Sequence, residues 1–201
     1  MSPILNIYKP VKIQDDVFYS RIIYKEDDII IQLKKNKLSL DKNNNKALIE
    51  LDSKTKKDIT WIGEEVVKET SKNSETWFGK NITIEDCKSL YRDCITGDDK
   101  LKCFYDENSY FYESKNNFIE HSNLLDEMLG IAIIKCPVII FTKTAFYLRW
   151  EISQFKIKNS NEEKIQLTEY SIRDLEEHNL SIDDFNIENK LKDKLKDISL
   201  F

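Results

Sequence analysis

The hydrophobic pattern is most informative near the end of the chain, between Ile131 and Ile157, where the second half alternates sharply between apolar and polar residues. This stretch predicts two long β-strands joined by a tight turn at Thr142-Lys143-Thr144-Ala145. Successive side chains of a strand point to opposite faces, so the second strand has two distinct faces. One face carries Phe146, Leu148, Trp150 and Ile152, and the other carries Tyr147, Arg149, Glu151 and Ser153. The first set predicts a core face and the second an outward face.

Alternation also predicts strands in the first quarter of the chain. Residues 17–24 and 29–33 read as a hairpin, and residues 46–51 read as a third strand, with a short strand at 37–40 as an option. The core faces that alternation predicts are Phe18, Ile22 and Tyr24, then Ile29, Ile31 and Leu33, then Ala47, Ile49 and Leu51. This is the pattern of a sheet with one buried face.

The period then changes from two residues to that of a helix. Ile59, Ile62 and Val66 recur at helical spacing and predict a helix over about 58–71. A Trp-Phe-Gly-Lys corner follows at 77–80, and a second short helix is expected over about 83–94. Residues 101–105 and 109–113 then resemble another hairpin.

Strands, a helix and a long hairpin form the order of an OB-type barrel. We therefore expect a mainly β (α+β) fold, an OB-like five-stranded barrel with a helix between strands three and four. The order also fits other α+β layouts, but the long, two-faced final hairpin suits a barrel wall. Residues 1–158 are expected to form this single domain, followed by an acidic C-terminal extension at 159–201.

Charge is distributed unevenly between these two parts. The formal net charge of the 201 residues is -5, from 31 basic and 36 acidic side chains. Residues 160–201 hold eleven acidic and six basic side chains, a net of -5, so the remainder is neutral, with twenty-five of each. A neutral body can carry a basic groove, and an acidic tail can cover it.

Several classes of protein are disfavoured by the sequence. The opening residues lack the long apolar core of a signal peptide, and Lys135 and Pro137 break the longest apolar run, so no membrane contact is expected. The cysteines show no C-x-x-C spacing and predict reduced structural thiols without a metal site. They are Cys87, Cys94, Cys103 and Cys136.

Catalytic chemistry is also weakly supported. Only four glycines are present, and no Gly-rich phosphate-binding or nucleophile motif occurs. A metal-dependent nuclease would need converging carboxylates, for which Glu50, Asp52 and Glu151 are the one plausible trio. We expect a protein that is not an enzyme and uses no cofactor, with a small nuclease as the weaker alternative.

A binding role is favoured by rings and cations on the outward strand faces. Single-strand-binding proteins stack bases on aromatic rings, at about 1–3 kcal/mol per base, and hold the backbone with cations. The predicted nucleic-acid-binding residues are Tyr19, Arg21, Lys34, Lys143, Tyr147 and Arg149. The two tyrosines would stack bases and the others would contact phosphates. A solvated strand face can show the same residues, and Trp150 belongs to the predicted core.

Two segments carry a resemblance to a known family. Residues 71–80, SKNSETWFGK, and 141–157, FTKTAFYLRWEISQFKI, resemble an uncharacterised family from large nucleocytoplasmic DNA viruses. The terminal hairpin is similar to the last strands of OB-fold single-stranded-DNA-binding proteins of phages and giant viruses. Those proteins often end in an acidic tail with an aromatic last residue, and here Phe201 is last.

This resemblance implies a viral protein that binds single-stranded DNA in replication, recombination or genome packaging. It would act at viral replication sites in the host cytoplasm or nucleus, with the tail as a candidate contact for replication proteins. The alternative is a structural protein of the virion, a minor capsid or core protein that uses the same sheet for protein contacts. A homo-oligomer is compatible with both expectations.

Overall fold

The fold is known from a computed structural model, which describes residues 5–114 and 117–158. The predicted C-terminal extension lies outside the described residues. Ten strands are present: β1 (Leu5–Ile7), β2 (Val11–Gln14), β3 (Val17–Tyr24), β4 (Asp27–Asp41), β5 (Lys46–Glu50), β6 (Lys100–Phe104), β7 (Tyr110–Ser114), β8 (Asn117–Phe118), β9 (Glu127–Thr142) and β10 (Phe146–Ile157). The helices are α1 (Ser53–Phe78), α2 (Ile84–Leu90) and a 3-10 turn at His121–Asn123.

All ten strands belong to one sheet that closes into a ring. β9 pairs with β4, β4 with β5, β5 with β6, β6 with β10, and β10 with β9 again. β3 also pairs with β9 and carries β1 and β2, whereas β7 pairs with β10 and carries β8. The closure between β6 and β10 is a single parallel bridge between Phe104 and Glu151. The ring is therefore nearly open at that point.

The mainly β prediction is confirmed. The finer prediction of a five-stranded OB-like barrel is not confirmed, because the sheet has ten strands and its ring does not form a barrel. The long helix lies between the fifth and sixth strands of the chain, not between the third and fourth.

The terminal hairpin forms as its alternation predicts. Residues from Gly130 to Phe141 on β9 face Ile157 to Phe146 on β10, with two register shifts between them. The backbone N–H of Thr142 donates to the carbonyl of Ala145 over 2.8 Å, which closes the turn. The Thr142 hydroxyl adds a second bond to the same carbonyl over 2.9 Å.

The predicted hairpin of residues 101–105 and 109–113 is wrong. β6 and β7 do not pair with each other: β6 pairs antiparallel with β5, and both β6 and β7 run parallel to β10. The intervening turn is held instead by Ser109, whose hydroxyl donates to the Ile152 carbonyl on β10 over 2.7 Å. Local alternation is the same for a hairpin and for two strands that share a third neighbour, so the pattern did not separate these cases.

Helix α1 is longer than its periodicity predicts. Asp52 caps its start by accepting a bond from the Thr55 N–H over 2.8 Å, and Gly79 ends it in a left-handed conformation with φ of 68°. The predicted face is buried, with Ile59, Ile62 and Val66 at most 2% exposed. This face joins the inward side chains of the sheet in one core. Within the described residues, neither helix combines the length and apolar character of a membrane span.

Candidate nucleic-acid interface

Four of the predicted binding residues share the outward face of three neighbouring strands. Tyr19 on β3 and Tyr147 on β10 both lie opposite Ile140 of β9. Arg21 and Arg149 flank Val138 of β9 in the same way. Neighbouring strands lie about 4.8 Å apart, so each of these two pairs spans roughly 10 Å.

The cations on this face are already paired with carboxylates. Arg21 Nη2 lies 3.0 Å from Asp28, and Arg149 Nε lies 2.8 Å from Glu151. Lys143, in the turn at the same end of the sheet, lies 3.8 Å from Asp16. The Arg21–Asp28 and Lys143–Asp16 pairs are exposed. Exposed ion pairs contribute little to stability, so a phosphate can replace these two carboxylates at small cost. The face nevertheless offers little unpaired positive charge.

Lys34 does not join the other predicted residues. It lies on β4 at a bulge between Leu33 and Asn36, which face Ala132 and Gly130 of β9. Six residues of strand separate Ala132 from Val138, a distance of roughly 20 Å at the usual rise per residue. The sequence pattern placed Lys34 on an outward face but not at this end of the sheet.

A cleft opens where β6 and β10 diverge. Beyond their single bridge, residues 91–95 fill part of the gap: the Arg92 N–H donates to the Phe146 carbonyl, and the Lys102 N–H donates to the Cys94 carbonyl, both over 2.9 Å. The space that remains has a volume of about 580 Å³. Such a volume lies within the range of pockets that hold small organic ligands.

The rim of the cleft is aromatic and charged, and its floor is apolar. Phe104 and Tyr147 are half-buried ring side chains, and Lys46, Lys102 and Arg92 are exposed cations. The buried lining residues form the floor; they are Ala47, Cys94, Cys103 and Leu148. A flat, partly apolar group can therefore enter while an attached anion stays at the rim.

The charge of the rim is not neutralised by ion pairs. Among the described residues, Lys46, Lys102 and Arg92 form no ion pair; Arg92 donates to the Ser89 carbonyl over 2.9 Å. Asp41 and Asp93 also line the cleft, and each accepts one internal hydrogen bond. Three cations against two carboxylates leave a small positive excess.

Arg149 connects the cleft to the outward face of β9 and β10. Its guanidinium carbon lies 4.5 Å from the centre of the Phe104 ring, as in a cation–π contact. Glu151 fixes this position by accepting from Arg149, and Lys135 Nζ lies 3.4 Å from the same carboxylate. The guanidinium is thus held beside Phe104, which lines the cleft, and guanidinium planes are stacking surfaces for bases.

The cysteine thiols beneath the cleft are poor nucleophiles. Burial raises the pKa of Cys94 to about 12 and that of Cys103 well above its ordinary value. Neighbouring Tyr91 has its hydroxyl pKa raised, chiefly by burial. Thiols are nucleophiles as thiolates, so these cysteines serve packing in their protonated form.

The carboxylates considered for a nuclease do not form a metal centre. Both oxygens of Asp52 are used by Thr55 in the helix cap, and Glu151 is paired with Arg149 and Lys135. In residues 5–114 and 117–158, no three His, Cys, Asp or Glu side chains are arranged to hold a metal ion.

Sequence reasoning missed the residues of β5, β6 and the 91–95 segment. Lys46 and Lys102 alternate with buried residues, so their outward direction could be read from the pattern. Their position beside Tyr147 could not, because it depends on the parallel approach of β6 to β10. Phe104 carried no signal that separated it from the core.

Comparison with known proteins shows the family of the chain and no further likeness. No curated protein and no solved structure matches it. Residues 36–174 match DUF5871, a family of unknown function. The match begins within β4, includes the whole cleft and extends sixteen residues past Lys158, from 158 to 174. It covers more than half of the chain, which therefore belongs to the DUF5871 family of unknown function.

Proposed function

We propose that this protein binds single-stranded nucleic acid, without catalysis, through the cleft between β6 and β10. The observation that carries the proposal is the combination of two half-buried rings with three cations around one opening, none of them in an ion pair with another described residue. Bases would stack on Tyr147 and Phe104, and the backbone would follow Lys46, Lys102 and Arg92. Arg149 lies at the junction, where it can stack on a base or contact a phosphate.

The outward face of β9 and β3 would extend this path. Tyr19 is 37% exposed and lies one strand beyond Ile140, in line with Tyr147. Lys143 and Arg21 flank it and can exchange their carboxylate partners for phosphates. Lys34 lies outside this path, so we leave it out of the proposed interface.

We include in this proposal an OB-like mode of binding and a viral origin. The ring contains five strands, as an OB barrel does, and OB proteins bind oligonucleotides on their second and third strands. In the ring these are β5 and β6, which carry Lys46 and Lys102. A viral role in DNA replication, recombination or packaging rests on the resemblance of residues 71–80 and 141–157.

Two single substitutions test the cleft, and they differ in their expected effect on the salt dependence of binding. Lys102→Ala should weaken binding of a short oligo-dT and lower the slope of log affinity against log salt by roughly 0.7, as one lost phosphate contact does. Tyr147→Ala should weaken binding by about 1–3 kcal/mol with an unchanged slope, because stacking releases no counterions. Fluorescence anisotropy over a salt series measures both.

The matched control is Tyr110→Ala. Tyr110 is 44% exposed and lies on β7, and it does not line the cleft. Its removal should leave affinity and slope unchanged. Wild-type protein without measurable affinity for oligo-dT at low salt would refute the proposal.

A structural role in the virion is the second candidate, and one surface favours it. β2 is an edge strand that pairs only with β3 among the described strands. Its side chains Val11 and Ile13 are 54% and 56% exposed, and nearby Tyr8 is 50% exposed. Exposed apolar edge strands are sites of strand addition by another chain.

Light scattering separates this candidate from the first. If the edge assembles copies of the chain, wild-type protein should show a multiple of the monomer mass, and Val11→Ser/Ile13→Ser should restore the monomer. The same double variant should bind oligo-dT as the wild type does. A monomeric wild type at high concentration would contradict self-assembly through β2.

A further inference from the structure

Of the two carboxylates that line the cleft, Asp93 belongs to the segment that fills part of the gap between β6 and β10. Asp93 lies between Arg92 and Cys94, whose backbones are bonded to β10 and β6. Its Oδ1 accepts from the Ile95 N–H over 2.9 Å, which sets the orientation of the side chain. A carboxylate repels the phosphates of a bound strand, so Asp93 is suited to contact another part of that strand.

The part of a nucleotide that suits a carboxylate is a base edge with hydrogen-bond donors. An ionised carboxylate only accepts, through two oxygens with about four lone-pair positions. The Watson–Crick edge of guanine presents two adjacent donors, the N1 and N2 groups. Thymine presents one N–H between two carbonyl oxygens, which the carboxylate repels. Adenine and cytosine each place an acceptor beside their single amino group.

We propose that the cleft between β6 and β10 is a guanine-selective subsite for one base of the bound strand, read by the Asp93 carboxylate. This inference rests on the proposed function and adds a base preference to it. The base would enter over the apolar floor, with Tyr147 and Phe104 at the rim, while its neighbouring phosphates contact Lys46 and Lys102. The volume of about 580 Å³ accommodates a base with part of its sugar.

Three probes test the subsite: a short oligo-dT, the same strand with one central guanine, and the same strand with hypoxanthine there. A bidentate contact discriminates between bases by about tenfold or more. The guanine strand should therefore bind roughly tenfold more tightly than oligo-dT. The hypoxanthine strand, which lacks the 2-amino group, should fall between them. Competition anisotropy at one salt concentration measures all three affinities.

Asp93→Asn is the informative variant, because its amide oxygen can still accept from the Ile95 N–H. The other oxygen becomes an NH₂ donor that faces the donors of guanine, so the preference for the guanine strand should disappear. Asp106→Asn is the matched control: Asp106 accepts from the Asn108 N–H over 2.8 Å in a similar turn and does not line the cleft. It should keep the wild-type preference.

The outcomes separate this inference from the function on which it rests. If wild-type protein binds none of the strands, the proposed function fails and the subsite with it. If it binds all three equally, the subsite is refuted and the binding function stands. A guanine preference that survives in Asp93→Asn would also refute the subsite, because another group would then be reading the base.

Discussion

Reversal of charge at both Lys46 and Lys102 is expected to reduce the affinity for oligo-dT on the order of a hundredfold at low salt, since like charges at an interface cost several kcal/mol. Both side chains are exposed on the rim of the cleft and take part in no ion pair of the described residues. The double variant Lys46→Glu/Lys102→Glu replaces two phosphate contacts with two repulsions. Its effect should exceed that of either alanine substitution.

The control has the same change in net charge at another surface. Lys57 and Lys80 are exposed residues that do not line the cleft. Lys57→Glu/Lys80→Glu should lose only the small, long-range part of the attraction, and this loss should fade as salt is raised to about 0.1–0.15 M, where charges are screened over about 8–10 Å. If both double variants lose affinity equally, the protein attracts nucleic acid by overall charge, and the cleft is not the binding site. Thermal melting of both variants checks that the fold is intact.

The elements that were predictable from the sequence are those set by local chemistry. The β9–β10 hairpin follows from the alternation of its second strand and from a turn in which the Thr142 hydroxyl donates to the Ala145 carbonyl. The buried face of α1 follows from helical spacing of Ile59, Ile62 and Val66. In each case the determinant lies within a few residues of the structure that it specifies.

The cleft was not predictable because it depends on contacts between distant segments. Phe104 and Glu151 form the one bridge that brings β6 to β10, and no local pattern records a parallel pairing. The same limitation produced the wrong hairpin of residues 101–105 and 109–113. Tyr147 and Arg149 were recognised from their strand alone, whereas Lys46, Lys102 and Arg92 became candidates only through the topology.

Trp150→Ala is expected to lower the free energy of unfolding by about 3–5 kcal/mol, the usual cost of removing a large buried aromatic side chain. Trp150 is 0% exposed and lies on β10 between buried Leu148 and Ile152. It belongs to the same core cluster as Ile59, Ile62 and Val66 of α1. Removal of the indole leaves a cavity in this core, and the surrounding structure closes such cavities only in part. Denaturant titration followed by circular dichroism gives the change.

Trp150→Phe and Trp61→Ala are the control variants for the loss of stability in Trp150→Ala. Phenylalanine keeps part of the buried volume and should be less damaging than alanine, and Trp61 is only partly buried against the core, so its loss should cost less. The series also separates packing from base stacking, which a tryptophan on the final strand could otherwise serve. If Trp150→Ala unfolds like the wild type but loses affinity for oligo-dT, the indole faces the ligand and the inward face of β10 is assigned wrongly. A large loss of stability, with oligo-dT binding retained in the folded Trp150→Phe variant, assigns Trp150 to the core and leaves stacking to Tyr147 and Phe104.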